Sequence, residues 1–250
     1  MEAITGQFTF GRATEYNSLA LAQYTWNASL PVADFRKLAV GTLYGAPAGV
    51  DLVAAQKLYE ETAAAYVRLH LNAKQLGRTP AAIEAWRDAG ARPLADELAV
   101  LKSNLERVGA QLRRAANGAD GIEALRLRGG IHDTRILGLE IELRRKVLEA
   151  FLSYQAAARS GDAAERRGRI GESSRSIEEA RRLCWLVEQE RAERGLLVVA
   201  PLSYTPRQTA AVEKLAGIVS AAVQQVHQGG AVPPNRWEEG DLLWRRYLVW

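Results

Sequence analysis

The sequence predicts a mainly α protein, an extended antiparallel helical bundle preceded by a short strand-helix remnant. Three observations carry this expectation. The commonest apolar residues are Ala and Leu, strong helix formers with little β preference. Apolar positions recur at spacings of three and four along most of the chain. One short run, Gly6-Gln7-Phe8-Thr9-Phe10-Gly11, alternates as a strand does, with Phe8 and Phe10 on one face. Residues 1–45 therefore read as a strand-helix segment and residues 46–250 as the bundle domain.

The elements follow in order. A lone strand at 6–11 needs a partner, because its backbone groups are otherwise unpaired. Thr14 offers an N-cap to a helix carrying Leu19, Ala20 and Ala22 and ending near Trp26. Asn27 or Ser29, with Pro31 near the first turn, starts a second helix. Its stripe is Val32, Phe35, Leu38, Ala39 and Leu43, and Gly45 stops it. Asp51 caps a third helix with Ala55, Leu58, Thr62 and Tyr66 on one side. Thr79-Pro80 opens a short helix with Ile83 and Trp86.

The clearest pattern lies between Ala91 and Ala116. Leu94, Leu98, Leu101, Leu105, Val108 and Leu112 form a heptad seam, the mark of helices packed at small angles. Asn117-Gly118 and Asp120-Gly121 break it. A further long helix carries Ile136, Leu143, Val147 and Tyr154, and Gly129-Gly130 before it reads as a helix end. After Ser160-Gly161-Asp162, another carries Ile170, Ile177, Ala180, Cys184 and Val187. Short connections make successive helices antiparallel, so a three-helix bundle is expected within 91–195. Leu196 to Val199 reads as an extended stretch. Thr205-Pro206 opens a helix lined by Val212, Leu215, Val219 and Val226. Trp237, Trp244, Tyr247 and Trp250 make the terminal segment aromatic.

The net charge of +4 and pI near 9.3 do not imply a nucleic-acid partner. Basic runs stand beside acidic ones, as at Glu178-Glu179 and Arg181-Arg182, which predicts solvated helix faces with internal pairing. No apolar run reaches the roughly 20 residues that cross a bilayer, so no membrane partner is expected. The N-terminus lacks the basic and apolar regions of a signal peptide. The compartment stays open, export of a larger parent protein included. The single cysteine, Cys184, excludes an intrachain disulfide and falls on an apolar stripe. His70, His132 and His227 have no ligand partner at helical spacing nearby except Asp133, and a metal site needs several convergent ligands, so no metal is expected. No cofactor motif is present, and no cofactor is expected. No pair of carboxylates presents itself as a catalytic site, and no catalytic residue is assigned.

A run of strand, alanine-rich helix, Tyr24-Thr25-Trp26-Asn27, then a helix ending at Leu43-Tyr44-Gly45 resembles the end of a barrel. The resemblance is to the last βα unit and helical stalk of barrel glycoside hydrolases of the N-acetylhexosaminidase or alpha-glucuronidase type. It implies a C-terminal helical domain that supports a catalytic barrel and borders its substrate cleft without being catalytic alone. It also implies carbohydrate as a ligand of the parent enzyme, and a barrel or a homodimer as protein partner. Arg12, Glu15, Tyr16 and Asn17 would then lie on the final βα loop facing substrate, with Trp26 as a stacking platform. A plainer reading of these residues is helix capping around Thr14 and Glu15. Trp26 would then anchor the helix end in the core, since tryptophan is mostly buried. The rival to the glycosidase reading is a stand-alone helical scaffold that binds a protein partner.

Overall fold

The computed structural model describes residues 12–45, 49–75, 91–193 and 205–233. Among the described residues there are seven helices and no strand: α1 (Arg12–Trp26), α2 (Val32–Tyr44), α3 (Gly49–Gln75), α4 (Ala91–Ala116), α5 (Gly121–Arg159), α6 (Ala163–Glu193) and α7 (Thr205–His227). The mainly α class is confirmed. The expected strand at Gly6 to Gly11, the short helix at Thr79-Pro80, the stretch Leu196 to Val199 and the aromatic segment from Trp237 lie outside the described residues. Two compact units divide the chain, residues 1–62 with 104–135, and residues 63–103 with 136–250.

In the first unit, Val40, Leu43, Leu52, Val108, Leu112 and Leu127 are core residues, each at most 4% exposed. Burying such a side chain contributes about 1.5–3 kcal/mol. Helices α2 and α3 run antiparallel, with Arg36 pairing to Glu60 while Leu43 and Leu52 share the core. Tyr16 and Tyr24 of α1 hold Phe35 of α2 between them, at ring distances of 5.2 and 5.4 Å. Gly45 ends α2 as expected. Its φ of 82° suits glycine, and its N–H donates to the Gly41 carbonyl at 3.0 Å.

Several starts differ from expectation. Helix α1 already begins at Arg12, so Thr14 lies within its first turn. Pro31 occupies the N-cap position of α2, and its carbonyl accepts from Phe35 N at 2.9 Å. Asn27 instead folds the connection upon itself, its Oδ1 accepting from Ser29 N at 3.2 Å. Helix α3 begins at Gly49, placing Asp51 in the first turn, where the helix dipole favours a carboxylate. Gly129-Gly130 does not end a helix. Helix α5 runs straight through both glycines, which are buried. On the α2 stripe, Val32 (59%) and Leu38 (46%) face solvent.

The second unit contains the hairpin of α5 and α6. Ser173 Oγ donates to the Ala150 carbonyl at 2.8 Å, Ser153 Oγ donates to Glu172, and Arg191 pairs with Glu140. These partners fix an antiparallel arrangement. Asp162 caps α6, its Oδ1 accepting from Glu165 N at 2.7 Å, while Ser160 Oγ donates to the Glu165 carboxylate at 2.9 Å. Helix α7 returns antiparallel along α6, with Arg181 bridging to Glu213 and Thr209 donating to Glu188. Beyond α7, Tyr154 donates its hydroxyl to the Pro233 carbonyl at 3.1 Å. The predicted stripes hold: Leu143, Val147, Ala150 and Tyr154 are 0% exposed, and so are Ala180 and Val187.

Candidate functional site

The residues singled out on α1 do not gather at one place. Arg12 opens the helix. Glu15, half-exposed, is engaged by Arg126 of α5 at 3.3 Å, and Arg126 also donates to the Leu43 carbonyl. Asn17 is exposed. Tyr16 points into a polar knot with α2 and α3. Trp26 stands ten residues further on, about 15 Å along the helix. It is 90% exposed, which overturns the expectation that it anchors the helix end in the core. The α1 register explains this. Tyr16 and Tyr24 take the positions facing Phe35, and Trp26 falls on the opposite side of the last turn.

The knot centres on Glu60 of α3. Arg36 of α2 donates Nε and Nη2 to Glu60 Oε2 at 3.2 and 2.7 Å, Gln56 donates to Oε1 at 3.1 Å, and Tyr16 donates its hydroxyl. Burial alone would raise the Glu60 carboxyl. The hydrogen bonds from Arg36, Tyr16 and Gln56 outweigh it and hold Glu60 below the ordinary carboxylate range. Burial and the bond to ionised Glu60 push the Tyr16 hydroxyl well above the ordinary tyrosine range. Glu60 in turn fixes the Arg36 guanidinium in its charged form. Sequence reading missed this knot, because 24 residues separate Arg36 from Glu60 and no local pattern links them.

The second unit has its own buried polar groups. Arg144, 4% exposed, lies over the Tyr66 ring at 4.9 Å. Burial pushes the Tyr66 hydroxyl up to about 12 despite that neighbouring cation. Glu142, Arg145, Glu149 and Lys146 form a chain of ion pairs along α5. Cys184 is 3% exposed, and burial raises its thiol to about 11 against a hydrogen bond with Thr209. Two open grooves flank α6. One lies against α7, between Ser174, Ile177 and Arg181 on one side and Gly217, Ser220 and Val223 on the other. The other lies against α5, lined by Glu142, Lys146, Arg175 and Glu179.

These groups are engaged within the fold itself. A general acid or base works best with a pKa near the working pH. The shifts at Glu60, Tyr16, Tyr66 and Cys184 all lead away from neutrality. The carboxylate of Glu60 is committed to three donors on its own fold. What the surface offers instead is large apolar side chains turned outward: Trp26, Val32, Ile122 and Leu125 in the first unit, and Val100 and Trp185 in the second. No protein-family model matches the chain, and neither a curated protein nor a solved structure matches it.

Proposed function

We propose that this chain is a helical scaffold whose task is to bind a protein partner. The observation that carries this reading is Trp26. An indole 90% exposed at a helix end, with Val32 also exposed across the short connection, is a strong candidate anchor for a complementary pocket. Tryptophan dominates binding energies when a partner desolvates it. The inward commitment of Glu60, Tyr66 and Cys184 accords with the same reading. Purification from the native cells, followed by quantitative mass spectrometry, tests it. A defined protein should accompany the wild-type chain and be depleted with Trp26→Ala; an unchanged set of companions would count against the proposal.

A second reading is favoured by the same residue. In a C-terminal helical domain bordering a glycosidase cleft, the exposed indole beside Asn27 and Ser29 would offer an apolar plane to a sugar ring. Titration with N-acetylglucosamine oligomers tests that reading through tryptophan fluorescence. A saturable change seen in the wild type and lost in Trp26→Ala supports it, and no change in the wild type removes it.

A further inference from the structure

The outer face of α6 is complementary to itself. Ala180 is fully buried. On the opposite side of the helix, about 3.6 residues per turn brings Gly171, Arg175, Glu178, Arg182, Trp185 and Gln189 into one line. From Arg175 to Gln189 each of these is exposed, Trp185 at 61%. Their order is symmetric about Ala180 in position, and the innermost pair is opposite in charge. Glu178 and Arg182 stand two residues to either side, Arg175 and Trp185 five, Gly171 and Gln189 nine.

We infer that this face joins two copies of the chain, α6 against α6, antiparallel about a two-fold axis at Ala180. In that register Glu178 of each copy meets Arg182 of the other. The Trp185 ring covers the partner's Arg175, a cation–π pair. Gly171 presents no side chain of its own to the partner's Gln189. A parallel pairing would set Glu178 against Glu178 and Arg182 against Arg182, so the charges select the antiparallel one. A two-fold contact uses the same patch on both copies, which this pattern satisfies.

The groups are available for such a contact. Within one chain Glu178 pairs with Arg181 at 2.9 Å and Arg182 with Glu179 at 3.3 Å, all on the solvent side. Exposed pairs of this kind stabilise little and exchange partners readily. Arg175 makes no ion pair among the described residues, and its guanidinium rests over the space that Gly171 leaves open. A single helix pair, about 27 Å from Gly171 to Gln189, buries a small interface. The dimer is therefore weak and salt-sensitive. This inference does not rest on Trp26, which belongs to the other unit.

Sedimentation equilibrium of the full chain over a wide concentration series, at low and at high salt, tests it. The wild type should show a monomer–dimer equilibrium that weakens with salt. Trp185→Ala and Glu178→Arg should each weaken it about tenfold or more. The double exchange E178R/R182E should restore it, because the reversed charges again meet their opposites. Asp51→Arg, the same reversal on exposed α3, should leave it unchanged. Far-UV circular dichroism confirms that each variant stays helical, as substitution at exposed positions predicts. A chain monomeric at every concentration overturns the inference. So does a dimer indifferent to Glu178→Arg, a double exchange no stronger than the single one, or equal weakening by Asp51→Arg.

Discussion

Glu60 holds three helices together by accepting from Arg36 of α2, Gln56 of its own helix and Tyr16 of α1. The linkage to pH follows from the direction of its shift. Its folded pKa lies below the unfolded value, so its contribution is fully present above the ordinary glutamate range of about 4.3 and is lost as pH falls through the folded value. The stability difference between the wild type and Glu60→Gln should be largest at neutral pH and shrink on acidification. Denaturant midpoints across a pH series measure this, and a constant difference would contradict it. Cys184 makes a second residue-scale prediction. A buried thiol raised to about 11 carries almost no thiolate at neutral pH. A disulfide reagent should label it only when denaturant is present; rapid labelling of the native protein would contradict the burial.

At the scale of elements, α4 was fully legible. Its seam is made of Leu and Val at alternating spacings of four and three, and Leu98, Leu101, Leu105, Val108 and Leu112 are all buried. Leu105→Ala should therefore cost about 2–5 kcal/mol. Val100→Ala, on the exposed side of the same helix, should cost less than about 0.5 kcal/mol. Equal denaturation midpoints for the two variants would put the seam on the wrong face. Other elements were less legible for identifiable reasons. Glycine costs a helix interior about 1 kcal/mol relative to Ala, which made Gly129-Gly130 look like an end. Both are buried in a 39-residue helix, where packing outweighs that local cost. Val32 and Leu38 share the period of their stripe but lie at its margin, and periodicity alone does not place a margin. The cap of α6 was half visible: Ser160-Gly161-Asp162 marked the break, while the reciprocal bonds with Glu165 needed the backbone to be seen.

At the scale of the whole molecule, the division into two compact units was not legible. Sequence boundaries are sought in loops and linkers, whereas here the division falls inside α3, α4 and α5. The candidate surface was partly legible. The usual burial of tryptophan points Trp26 inward, whereas its outward position depends on Tyr16 and Tyr24 claiming Phe35. The charges at Glu178, Arg181 and Arg182 of α6 read in the sequence as a solvated face, and they are exposed. The central claim is that the outward indole at position 26 meets a protein. Site-specific photo-crosslinking tests this most directly, with benzoylphenylalanine placed at position 26 in the native cells and at exposed position 51 as the control. A discrete adduct to one protein from position 26, absent from position 51, is the predicted result. Equal or no adducts from the two positions would contradict it.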